Sequence, residues 1–314
     1  MNGPRFGVID TFLGWLTIPV RPQPVAAFRV LLGVLVLVDC WLVAPELDLW
    51  YSDRGIVPQA DFAGSRWLRG GFSVLACTGD SPAAVRVLFG LQVAAAALLT
   101  IGQFPRIAAA TLFVVLTSFA ERNPLNYHAG DSLIRLMTLL MVWAPSAAAW
   151  SPSSWRRGGP RSWVSPVAFR TMQFQVCLVY ATTAIFKALG ESWQRGEAVF
   201  TVLRLVEFRR YELPTMMYGP AASLVLTWST LAVEAAFPIL IWLPRTRRIM
   251  IAAMVLFHLG IEYAMTIRLF EWTLVACMAL FVTPEEYRSL AAALRRAGGG
   301  PSGWGFNARK KTAA

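Results

Sequence analysis

Apolar residues fall in eight blocks, at about 25–45, 83–102, 106–120, 132–150, 167–190, 221–243, 249–267 and 269–283. Most approach the roughly 17–25 helical residues that cross a bilayer. The pattern predicts an all-α polytopic membrane protein with about eight transmembrane helices and no large soluble domain. Pro105-Arg106 and Pro244-Arg245 mark tight turns, because proline lacks an amide donor and disfavours helix in the residue before it. The longer connections are 46–82, 121–131, 151–166 and 191–220. The chain therefore divides into an N-terminal segment 1–24, a membrane domain 25–285 and a basic tail 286–314. At the head of the tail, Pro284-Glu285-Glu286 reads as a helix start, with a basic helix running to about Ala297. The glycine-rich end from Gly298 is expected to be disordered.

Composition agrees with this pattern. The 314 residues are 56% hydrophobic and 15% charged, with mean hydropathy +0.51, whereas soluble domains carry about 25% charge. The net charge of +11 would suggest nucleic acid in a soluble protein, but the basic residues lie mostly between apolar blocks. There the positive-inside rule explains them, and no nucleic-acid partner is expected. The N-terminus, alternate loops and tail hold about 15 of these residues and the opposite loops about 9, which places both termini in the cytoplasm of a multi-pass cell-membrane protein. The Glu207–Tyr211 run, with Trp193 nearby, reads as a segment lying along the interface. The partner implied throughout is the lipid bilayer.

Ionisable side chains inside apolar blocks are costly, so each is a candidate for function. Lys187 is the one lysine before the tail; Lys310 and Lys311 are the others. Gln173, Val176, Tyr180 and Thr183 precede it at helical spacing, giving a mainly polar stripe on one face. Unlike arginine, lysine has an accessible neutral form when buried, which suits a base or nucleophile. The alternative is a lysine that snorkels from a helix end. His258 is followed four residues later by Glu262, on the same helical face and positioned to orient the imidazole. In the loop 121–131, Asn126 and His128 precede Asp131, which reads as part of a capped helix start with an ion pair to Arg135. Arg29 and Glu234 are further buried polar candidates with structural roles. Connectivity puts Lys187, His258 and His128 within reach of one cavity opening outward, with Lys187 and His258 catalytic and Asn126, His128, Tyr180 and Glu262 contacting substrate.

The chain resembles the HTTM family, the horizontally transferred transmembrane domain, which includes vitamin K-dependent γ-carboxylase and the sporulation-delaying protein B group. Phe28-Arg29 with Gly33, Tyr51-Ser52-Asp53-Arg54-Gly55-Ile56-Val57-Pro58, Gly130-Asp131 with Arg135, and Gln173, Gln175 and Tyr180 carry the resemblance. Lys187-Ala188-Leu189-Gly190-Glu191-Ser192-Trp193-Gln194-Arg195-Gly196, Glu234 and Phe257-His258 continue it in order. The resemblance implies that Lys187 is a base for a quinol of the vitamin K type, the one cofactor suggested, and that His258 supports it. It also implies a possible lyase or oxygenase chemistry of the carboxylase kind, although the short tail makes protein-glutamate carboxylation unexpected. The sporulation-delaying protein B likeness implies instead a non-catalytic partner or scaffold in maturation or export of a small secreted peptide. Fused at its C-terminus to green fluorescent protein or to alkaline phosphatase in a bacterial inner membrane, the chain should give fluorescence and no phosphatase activity. The reverse result would invert the topology.

Overall fold

The computed structural model describes residue 14 and residues 16–57 and 72–297. Pro58 of the quoted motif, most of the N-terminal segment and the glycine-rich end lie outside them. The described chain is all-α. Its extended pairing is limited to two isolated bridges, Val20 with Val164 and Arg209 with Met265.

The eight apolar blocks become eight helices: α1 Gln23–Val43, α2 Pro82–Ile101, α3 Pro105–Arg122, α4 Ala129–Trp143, α5 Val167–Leu189, α6 Pro220–Leu240, α7 Arg247–Ala264 and α8 Phe270–Cys277. The basic helix of the tail, α9, spans Pro284–Ala297, to the last of the described residues. Four stretches are long and apolar enough to cross a membrane: Gln23–Tyr51, which continues α1, with α2, α5 and α6. Length and apolarity alone therefore do not confirm eight crossings. α3 contains Arg106, Glu121 and Arg122, and α7 contains Arg247, Arg248 and Glu262. α4 has 15 residues, because Pro145 forces Ala144 into extended backbone and stops the helix at Trp143, before the expected end at 150.

The outer faces carry the large apolar side chains that a water-soluble bundle would hide. Phe186 is 75% exposed, Leu189 72% and Val225 67%. Such surface on long apolar helices is suited to lipid and identifies an integral, multi-pass membrane protein.

Inside, α1, α2, α3 and α4 pack in sequence, α5 packs on α6, and α8 touches α1, α4 and α7. The short α8 is thus the central element. With the 3-10 turn Met278–Phe281 it buries Leu274, Cys277, Met278, Leu280 and Phe281 in the main core, beside Phe28, Met137, Met172 and Phe237. α1 and α2 approach closely at Gly33, where a Cβ would lie 2.3 Å from Thr100 Oγ1. Small residues permit such contacts between membrane helices.

Arg29, in the first turns of α1, is fully buried. Its guanidinium donates to the backbone carbonyls of Ser146 at 2.7 Å, Ala149 at 3.3 Å and Trp150 at 2.5 Å, and more weakly to Thr100 at 3.5 Å. Among the described residues no carboxylate pairs with it, so the charge is neutralised by carbonyl dipoles. These carbonyls belong to the end of α2 and the turn after α4, so one side chain ties α1 to both. Gly102 makes room: it ends α2 in the left-handed region at φ 77°, and a Cβ there would lie 2.4 Å from Arg29 Nη1.

Gly102→Ala should therefore lower the thermal midpoint in detergent, the left-handed backbone alone costing about 1–2 kcal/mol. Gly90→Ala, at a helical position with open space around the added methyl, should leave the midpoint unchanged or raise it. Equal effects at the two sites would refute this role for Gly102.

Candidate functional site

The stripe on α5 faces inward; Thr183 bonds back to the Val179 and Tyr180 carbonyls of its own helix, and the other three polar members each reach a different part of the bundle. Gln173 Nε2 donates to the Leu280 carbonyl at 2.8 Å, just beyond α8. Tyr180 meets His258 of α7, its hydroxyl 2.6 Å from Nε2. Lys187 forms an ion pair with Glu234 of α6.

Tyr180 leads into a buried polar chain. His258 Nδ1 lies in a short hydrogen bond with Glu271 Oε2 of α8, and Tyr180, His258 and Glu271 are each 2% exposed. The Glu271 carboxylate accepts from Nδ1–H, which leaves Nε2 of a neutral imidazole to accept from the tyrosine hydroxyl. Protonation of the ring would reverse the second bond, with Nε2–H donating to the hydroxyl. The arrangement can therefore pass or hold a proton along the chain from Glu271 to Tyr180. The Phe237 ring packs at a tilt against Tyr180, centroids 4.5 Å apart, and Phe257 lies 5.1 Å from the His258 ring, so the surroundings are apolar.

Glu271 replaces the partner expected for His258. Glu262 shares a helical face with the histidine, but it pairs instead with Arg210 at 2.7 Å. Arg210 is brought there by the 207–211 segment, which docks on the end of α7 through the Arg209–Met265 bridge and the bond from Arg210 N to the Ala264 carbonyl at 3.2 Å. A helical spacing of four makes contact geometrically available, but a third group decides which contact forms. Glu271 lies within the apolar block 269–283, so the rule that singles out buried ionisable groups applies to it equally.

Lys187 is held rather than free. Its side chain is 25% exposed and that of Glu234 6%, and the ammonium lies 4.9 Å above the Trp193 ring, where the π-face attracts a cation. Trp193 is placed by the loop after α5: the Gly196 carbonyl accepts from Ser223 Oγ at 2.7 Å and Thr227 Oγ1 at 3.2 Å, both on α6. Glu234 retains one buried carboxylate oxygen, Oε2, without a hydrogen-bond partner. Pro238, four residues later in α6, removes the amide that would bond the Glu234 carbonyl and locally loosens the helix. Phe237, one turn after Glu234 on α6, packs on Tyr180, which lies two turns before Lys187 on α5, so the two polar groups are neighbours between α5, α6, α7 and α8.

The loop histidine does not join them. A separate cavity of ≈ 50 Å³ lies where the ends of α1 and α3 meet the starts of α4 and α8. Asp39, Tyr51, Gln92, Asn126, Arg135 and Arg268 supply its polar walls, and Lys187, His258 and His128 do not line it. At that size it has room for roughly three or four waters and none for an aromatic ring. Arg268 donates to Asp39 Oδ1 through Nε at 3.0 Å and Nη2 at 2.7 Å, and Asn126 donates to the Tyr51 hydroxyl at 3.3 Å. His128 serves as the N-cap of α4, its Nδ1 accepting from Gly130 N at 3.1 Å while Asp131 accepts from the His128 amide at 3.0 Å. The expected Asp131–Arg135 ion pair does not form. Asp131 is used by the capping box, and Arg135 donates instead to the Tyr127 hydroxyl at 2.7 Å.

A family model described as the HTTM domain matches residues 18–285. No curated protein and no solved structure shows significant similarity to the chain.

Removing one member of the buried chain should leave its neighbour unsatisfied. Tyr180→Phe is expected to cost about 1–3 kcal/mol of stability, measured by unfolding in detergent. The double variant Tyr180→Phe/His258→Leu should cost less than the sum of the singles, because both lose the same bond. Additive costs would show that the bond does not form.

Proposed function

The chain belongs to the HTTM family, and we propose that this integral membrane protein uses its α5–α8 polar neighbourhood for acid–base chemistry on a lipid-soluble, quinol-type substrate. The observation that carries the reading is the concentration of ionisable groups at that one place. Lys187, Glu234, Tyr180, His258 and Glu271 sit together between lipid-facing helices, where burying charge is costly and a passive bundle gains little from it.

Lys187 would act from the tautomer in which Glu234 holds the shared proton. The neutral amine then takes a hydroxyl proton from the quinol, leaving a quinolate beside the Lys187 ammonium. Trp193, already over the ammonium, offers an aromatic face to a ring. His258, oriented by Glu271, would set the protonation of Tyr180 and so the potential beneath the substrate. Because His258 is 2% exposed, its contribution is positional rather than by contact. Asn126 and His128 belong to the other polar system and are not assigned to this substrate.

The competing reading is a maturation scaffold for a small secreted peptide, and it predicts tolerance at Lys187. Reconstituted in nanodiscs with a reduced naphthoquinone under air, the wild-type protein should deprotonate the quinol and so speed its two-electron oxidation to the quinone by dissolved oxygen, which leaves as hydrogen peroxide. Lys187→Arg keeps the charge and removes the accessible amine, so turnover should fall by about 10²-fold or more. Undiminished turnover in Lys187→Arg would reject the base, and absence of turnover in the wild type would favour the scaffold.

A further inference from the structure

Beside the bundle, a shallow open groove of ≈ 460 Å³ runs along α7 next to the first turn of α9. Ile251, Ala252, Val255 and Leu256 of α7 form one wall with Val282, and Arg248 and Glu286 stand at one end. The α7 positions are spaced as one helical face, and the wall from 251 to 256 rises about 7.5 Å. That is the length of a short run of methylene groups. The floor is apolar and Ala252, its smallest side chain, is exposed.

Arg248, at the head of the groove, belongs to a cluster of three arginines close in sequence. Arg245, Arg247 and Arg248 precede or open α7, and Arg245 and Arg248 are exposed. Against these three positive charges stands one nearby carboxylate, Glu286. Its Oε1 faces Arg248 in a short ion pair and Arg247 at 3.9 Å, while Oε2 accepts from the Thr283 amide at 2.7 Å. Partial burial pushes the Glu286 carboxyl upward, but the bonds from Thr283 and Arg248 and the charge of Arg247 outweigh it and hold the group below the usual glutamate range. Glu286 is therefore ionised at neutral pH and the balance at the head of the groove is two positive charges. Glu285, the next acidic residue, is taken by Arg288 at 2.7 Å.

We infer that this groove binds an anionic phospholipid, with one acyl chain along Ile251–Leu256 and the phosphate facing Arg245 and Arg248. The chemistry of the two ends selects this occupant: an apolar wall along α7, closed by a cluster of three arginines that shares one carboxylate, Glu286, and so keeps an excess of positive charge for phosphate oxygens. A neutral lipid would leave the charge unmatched, and a free phosphate would leave the apolar wall unused.

Native mass spectrometry of the full chain, released from micelles containing equal phosphatidylglycerol and phosphatidylcholine, tests the site. The expected result is a bound phosphatidylglycerol favoured about tenfold over phosphatidylcholine. Arg245→Gln/Arg248→Gln should abolish that preference, and Ala252→Trp, which fills the groove from an exposed position, should remove the tightly held lipid altogether. Glycerophosphoglycerol, the headgroup without chains, should not compete. Preference unchanged in either variant would overturn the site. Loss in the arginine variant with retention in Ala252→Trp, or full competition by glycerophosphoglycerol, would mean that the arginines act without the groove and would overturn it as well.

Discussion

A polar side chain buried among lipid-facing helices has to be satisfied by another part of the protein, and this bundle is organised around that constraint. Water cannot compensate an unpaired donor there, so each polar position on an inward face specifies a neighbour. The stripe on α5 supplies such positions two turns apart: Gln173 fixes the chain just after α8, Tyr180 fixes α7, and Lys187 fixes α6. Arg29 does the same at the base of α1, through carbonyls rather than carboxylates. Apolar packing fills the space between these contacts but does not discriminate strongly among helix registers, because lipid tails solvate leucine as well as a neighbouring helix does.

The same constraint explains why α8 is short and yet central. It contributes Glu271 and Thr273, both buried, along with its apolar residues. A helix enclosed by α1, α4 and α7 has no need to span the bilayer on its own length. Its central position brings an acidic side chain to His258 from a separate helix, a more rigid arrangement than the expected pair within α7 would have been.

Two polar systems result, not one. The first gathers Lys187, Glu234, Tyr180, His258 and Glu271 between four helices. The second, around Asp39 and Arg268, is a small cavity where Asn126 and Arg135 contribute and His128 is engaged in capping α4. Their separation divides the residues that the sequence groups into a single outward-facing site. The groove at α7 and α9 is a third feature, formed on the lipid side by surface that neither interior system uses.

Much of this was legible in the chain. The helix positions follow from apolar blocks, the inward stripe from spacing along α5, and the start of α9 from Pro284 and two glutamates, because all of these depend on residues close in sequence. Partner choice was not legible. Glu262 sits four residues from His258 and looks like its partner, but Arg210 captures it; the acceptor that does serve the ring is 13 residues away on another helix. Lys187 and Glu234 are 47 residues apart. Arg29 is answered chiefly by backbone carbonyls more than 100 residues distant, and a carbonyl has no residue identity by which a sequence could announce it. The sequence by itself determined which faces must be buried and which groups would require a partner. The tertiary structure decided which partner each obtained, since that depends on the helix crossings that bring distant groups within bonding distance.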